Sequence, residues 1–272
     1  MQTALDLLNT LLPLLYALAM VNYIVYLVRD DPFSARTCTP FLVAVFGLHC
    51  VYFLLGSLHH ASSPIATMPE VLSAVALSVA GVYLYVERVQ GSKVTGPFQL
   101  PMVVVMQLIA STLMHQATHP SPSASAGFSL HAFAAVLAHS AFVVGAVYAI
   151  MYVVMYRALK AKRFGVVFQR LPPLDKLAGM GFGATALGWV LLTASIIVGF
   201  VITKDVSESA YRNPYVIGAL GIWLIYGVAL LSYFGLGLKG ARTVYLSLLA
   251  FAFAVAAISG AAIWPVLHRF QT

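Results

Sequence analysis

Residues Ser129–Arg163 read SLHAFAAVLAHSAFVVGAVYAIMYVVMYRALKAKR. A loop rich in Ser, Pro and Ala, without a charge, precedes this stretch, and a cluster of bases closes it. Between the two lies a long apolar run. A helix rises about 1.5 Å per residue, so the run crosses a bilayer core of about 30 Å with turns to spare. It carries His131 and His139, both near its N-terminal end. Histidine inside such a helix is uncommon and is a functional hypothesis in its own right.

The rest of the chain has the same character. Of 272 residues, 61% are hydrophobic and 8% charged, too apolar for a soluble domain. The class is all-α, a polytopic membrane protein. The basic balance sits beside the apolar runs, which points to topology and anionic headgroups and away from nucleic acid. Cys38 and Cys50 form neither a C-x-x-C nor a haem-attachment C-x-x-C-H. No base precedes Arg29, so the first apolar stretch lacks a signal-peptide n-region and is expected to remain a helix.

Eight spans are expected, in a single domain over 1–272: Ala4–Val28, Pro40–Leu58, Pro69–Glu87, Phe98–Met114, Leu130–Tyr156, Leu177–Ile202, Pro214–Phe234 and Arg242–Ile263. Pro40, Pro69, Pro97, Pro101 and Pro214 cluster at their starts, where a missing N–H costs least. Twelve of the 15 Lys and Arg residues fall after spans one, three, five and seven; Lys204, Arg212 and Arg269 fall on the other side. The positive-inside rule then puts both termini outside, on the periplasmic side or its equivalent, and the expected location is the cell's inner (cytoplasmic) membrane.

On this map no histidine lies on the basic side. His59 and His60 end span two, His115 and His119 follow span four, and His131 opens span five, with His139 two turns deeper. His268 follows span eight, and His49 sits within span two. His59, His60 and His119 read as loop histidines. His115 and His119, spaced i, i+4 before Pro120, have no third ligand nearby for zinc. Neutral imidazoles on facing helices suit a haem iron. The alternative for His49 is a buried imidazole bonded within the core. Counted from their outer ends, His49 and His139 share a depth of roughly 13 Å, so a b haem between spans two and five is one expectation. His131 and His139 stand about 12 Å apart along one helix, so they cannot be the two axial ligands of one iron. The acids Asp6, Asp30, Asp31, Glu70, Glu87, Asp175, Asp205 and Glu208 fall at span ends or in loops. An ion-coupled carrier is disfavoured by that placement. No phosphate loop, serine–histidine–acid set or H-E-x-x-H is present, so the chain is not read as an enzyme.

Several stretches are more specific. GLHCVYF starts at Gly47, LHAFAAVLAH at Leu130 and GAVYAIMYVVMYRALKAKR at Gly145. FQRLPPLDKL follows, then LGWVLLTASIIVGF, RNPYVIGALGIWLIYGVALL and GLGLKGART. In that order and spacing the chain resembles the membrane proteins of the cytochrome c assembly superfamily, in their smaller, HemX-like branch. The resemblance implies eight transmembrane helices and haem handling in cytochrome c maturation or haem metabolism. It implies a functional histidine at His49. It also implies outward-facing haem ligands at His131 and His268, which gives a second possible pair. Trp223, Tyr226, Gly240 and Arg242 match its pattern in spans seven and eight, where a structural role is the simpler reading. The departures are a tryptophan-free loop TKDVSESAYRN between spans six and seven, no deep histidine near Leu231 or Ser232, and His139 where tyrosine is usual.

The resulting expectation is an integral membrane protein with one or two b haems on its outer half, held by His49, His131, His139 and His268. Its partners would be the lipid bilayer, haem, and cytochrome c maturation proteins. The alternative keeps the fold as a haem-carrying or structural subunit of a respiratory or photosynthetic redox complex; a third reading is a scaffold without cofactor.

Overall fold

The computed structural model describes residues 2–60, 65, 67–91, 93–114, 126–162, 165–202 and 213–269. Side chains at 60, 90, 126, 166–167 and 261–269 lie outside that description. The described residues are helical, with no strand. In order the helices are α1 (Gln2–Arg29), α2 (Pro32–His60), α3 (Met68–Gln90), α4 (Gly96–Met114) and α5 (Ala126–Lys160). There follow a short α6 (Val166–Arg170), α7 (Leu174–Ile202), α8 (Pro214–Leu230) and α9 (Ala241–Arg269). A π-helical turn, Leu231–Gly235, finishes α8. All but α6 are long and apolar enough to cross a membrane, which gives eight candidate spans. This is a multi-pass membrane protein.

Helix ends follow local chemistry. Thr67 and Glu70 close a capping box on α3, with the Thr67 N–H donating to Glu70 Oε2 at 2.8 Å, and Gly91 at φ +65° ends the same helix. Asn213 Oδ1 accepts from the Tyr215 N–H at 3.0 Å and starts α8 ahead of Pro214. Pro40 does not start its helix. Asp31 Oδ2 caps the Ser34 N–H at 2.8 Å, so α2 begins at Pro32 and Pro40 lies inside it. Hydropathy marks where the apolar run begins, and the Asp-Pro cap lies two turns earlier. At the other end of the chain α9 continues past the apolar window to Arg269. His268 is therefore on a helix, not in a loop beyond it.

The bundle has two halves. Helices α1, α2, α3 and α4 pack together; α5, α7, α8 and α9 form the second group, and α5 joins the halves through α3. The most apolar window of α5 is 61% buried, against 17–44% for the other spans, so the opening stretch is the central helix. Its closest partner is α7. Small residues set that spacing: a Cβ on Gly188 would stand 2.9 Å from the Ala138 carbonyl, and one on Gly145 3.1 Å from the Gly181 carbonyl.

The basic loops share one end. Arg170 donates to the Tyr26 and Leu27 carbonyls, both at 3.0 Å, and pairs with Asp30 at 3.1 Å. It thereby satisfies the last carbonyls of α1 and complements the helix dipole. Lys93 donates to the Ala35 carbonyl at the same end. There too, Glu87 is buried and accepts from Tyr23 Oη at 2.6 Å and from Thr39.

Candidate functional site

The histidines of the two halves have different surroundings. His49 is fully buried on α2. Its Nδ1 lies 3.1 Å from Tyr16 Oη and its Nε2 2.9 Å from Ser73 Oγ. Ser73 donates to Gln107 Oε1 at 2.9 Å, Gln107 Nε2 to Ser111 Oγ at 3.2 Å, and Ser111 to the Asn9 carbonyl at 2.7 Å. Because the Ser73 proton goes to Gln107, Ser73 accepts from His49 Nε2–H. His49 Nδ1 is then the acceptor for Tyr16. Every group in the chain has one consistent direction, and it ties α1 to α2, α3 and α4. Both His49 nitrogens are committed, so neither is left for a metal. Phe53 stacks on the ring at 5.4 Å.

His139 belongs to the other half. Its Nδ1 lies 2.7 Å from the Ala135 carbonyl of its own helix. A carbonyl only accepts, so the proton is on Nδ1 and Nε2 keeps its lone pair. His131, two turns nearer the start of α5, repeats the arrangement across helices. Its Nδ1 is 2.8 Å from the Ser195 carbonyl and 3.1 Å from Ser195 Oγ, while that hydroxyl donates to the His131 carbonyl at 3.0 Å. Neither Nε2 has a partner among the described residues. A ring held through Nδ1 to a carbonyl, with Nε2 free, is the usual state of an imidazole that binds a metal.

Both rings line one cavity of about 560 Å³, bounded by α5, α7, α8 and α9. Ligand cavities span about 300–1,000 Å³, so the space suits one sizeable molecule. Its wall includes Leu192 and Ile222, with Gly199, Gly218 and Ala219. A Cβ on Gly199 would press on the His131 ring at 3.1 Å, so this glycine makes room for the imidazole. Asn213 and Tyr215, at the start of α8, supply polar groups at one end of the lining. Iron porphyrin fits this donor set: free imidazole nitrogens in a mainly apolar cavity with a polar edge at the start of α8.

The expected pair of His49 and His139 does not form. His49 is enclosed by Tyr16, Ser73, Tyr52 and Phe53 in the first half, whereas His139 neighbours Phe142 in the second. Equal depth did not reveal that α2 and α5 belong to different halves. Gly145 faces Gly181 and Thr185 of α7 and serves helix packing. The side chain of His268 lies outside the described residues, as do His115 and His119; His59 is exposed at the end of α2. Trp223 serves packing, donating from Nε1 to Thr193 at 2.8 Å and stacking on Trp189 at 5.2 Å. Tyr226 stacks on Phe142 at 4.0 Å.

The cytochrome C assembly protein family matches residues 9–268, almost the whole chain. The chain belongs to this family. It is similar to Protein HemX of Brevibacillus brevis, 23% identical over 227 residues, covering 77% of this chain and 80% of that protein. It is also similar to Protein HemX of Bacillus subtilis (strain 168), 24% identical over 234 residues, covering 82% and 83%. No solved structure matches the chain. Ser195 and Gly199, which hold and make room for the His131 ring, are the cavity residues that sequence reasoning missed. Their i, i+4 spacing on one face of α7 was the available signal.

Proposed function

We propose that this member of the cytochrome c assembly family binds b haem in the cavity between α5, α7, α8 and α9. It would handle that haem on the outer side of the inner membrane, in cytochrome c biogenesis or haem metabolism. The observation that carries the reading is the pair of imidazoles, His131 and His139, each tied through Nδ1 to a carbonyl and each with Nε2 free in one cavity. Haem would supply an iron centre whose axial coordination an Nε2 lone pair completes. The chain's own residues fix the tautomers and exclude water through the apolar walls, and Gly199 leaves room for the His131 ring. The twelve-to-three distribution of bases supports the outward placement of this cavity, because Phe128, Ile202 and Asn213 stand at helix ends opposite the basic loops. His268 remains a proposed additional ligand at the end of α9.

The experiment is a pyridine haemochrome assay on protein purified from haem-replete cells, with protein quantified in parallel. The expected result is b-type haem retained through purification, or readily restored by adding haemin. A chain that neither retains haem nor takes up haemin would contradict the proposal.

A further inference from the structure

Four buried polar side-chain atoms have no hydrogen-bond partner among the described residues: Asn9 Oδ1, Gln99 Oε1, Tyr148 Oη and Tyr226 Oη. Two of them come together where the halves of the bundle join. Gln99 of α4 and Tyr148 of α5 are both fully buried. Tyr148 faces Gln99 and Thr95, one turn earlier on α4, closely enough to interact with both. No direct hydrogen bond closes between Tyr148 Oη and Gln99 Oε1. Gln99 Nε2 reaches the Val144 carbonyl of α5 only at 3.5 Å, long for a hydrogen bond. Both helices are apolar enough to cross the membrane, and an unsatisfied polar group is costly there.

We infer that one water molecule is bound at this joint, bridging Tyr148 Oη and Gln99 Oε1 within the membrane. The Gln99 oxygen only accepts, and the Tyr148 hydroxyl has a proton to give. Their occupant must therefore donate to one and accept from the other. Hydrocarbon does neither. A bare cation would find no free carboxylate, because Glu87 is committed to Tyr23 and Thr39. Water meets both demands, and Thr95 adds the third polar neighbour that buried waters commonly have. Polar groups that face one another beyond direct bonding distance are the setting for a bridging water. The site also has a place in the fold. α4 touches α5 far less than α3 does, so the water supplies the polar part of a light joint. It holds α5, the helix carrying His131 and His139, against the first half, and it does so with or without haem.

The test is X-ray hydroxyl-radical labelling of the purified full chain in detergent, read by mass spectrometry. Radiolysis of a bound water makes the radical in place, so it marks a neighbour shielded from bulk solvent. A bulk radical scavenger does not suppress that marking. Tyr16 is the control: it is equally buried, and its hydroxyl is already bonded to His49 at 3.1 Å. Wild type should label Tyr148 faster than Tyr16 and keep that labelling with scavenger present. Gln99→Leu, close in size but without the acceptor, should lose it while its thermal melt shows a folded protein. If that variant does not fold, the wild-type comparison decides alone. Labelling of Tyr148 no faster than Tyr16 would overturn the inference. So would its loss on adding scavenger, the sign of bulk water entering, or its persistence in folded Gln99→Leu.

Discussion

His49 and His139 show how a hydrogen-bond partner decides a histidine's role. Both sit in transmembrane helices at a similar distance from the helix ends opposite the basic loops. His49 has a donor on one nitrogen and an acceptor on the other, within a polar chain running from Tyr16 to Asn9. His139 has only the Ala135 carbonyl. The expected outcome for H49A is lost stability with retained haem: Tyr16 and Ser73 are left without their partner, at a cost of about 1–3 kcal/mol. Reversible unfolding in mixed micelles reads the first effect and the haemochrome the second. At Gly199, replacement by Val should weaken haem uptake without unfolding the protein. The added atoms would crowd the His131 ring, which a Cβ alone approaches to 3.1 Å. A haemin titration of G199V with an unchanged affinity would contradict that assignment.

Among the helices, the α5–α7 contact places the site. Gly188 faces Ala138, the residue before His139, with no room for a side chain: a Cβ would stand 2.9 Å from the carbonyl and 2.7 Å from the Phe142 ring. Backbone cannot yield as a flexible side chain does, so G188A should cost about 1–3 kcal/mol and disturb ligation at His139. A thermal melt and a visible spectrum on the same sample check both. The helices themselves were largely legible: eight apolar runs gave eight spans, and prolines and caps at Pro69 and Pro214 marked their starts. Pro40 misled because hydropathy and hydrogen bonding start α2 at different residues. The docking of Arg170 on α1 was not legible, since it depends on a tertiary contact across 144 positions. The same holds for the site. Histidines could be placed by depth along their helices. Which helix faces which is a property of packing, and α5 turned out to face α7, where Ser195 and Gly199 wait for His131.

For the whole molecule, the basic loops at one end and the cavity towards the other define a polarity. With Cys38 and Cys50 replaced, a cysteine introduced at Lys162 should be labelled only after the cytoplasmic face is opened, and one at Ser207 from outside intact cells. Labelling of the Lys162 site in intact cells would reverse the orientation. The family relationship covers both halves of the bundle, yet the two imidazoles that line the cavity, His131 and His139, lie in only one. The first half is accordingly read as a rigid support locked by the His49 chain, and the second as the part that meets haem. The most direct measurement is the reduced-minus-oxidised spectrum, with haem-to-protein ratio, of wild type, H49A and H139A purified side by side. A b-type signal near stoichiometric in wild type and H49A, and lost in H139A, is the predicted result. Loss of the signal in H49A with retention in H139A would contradict the account.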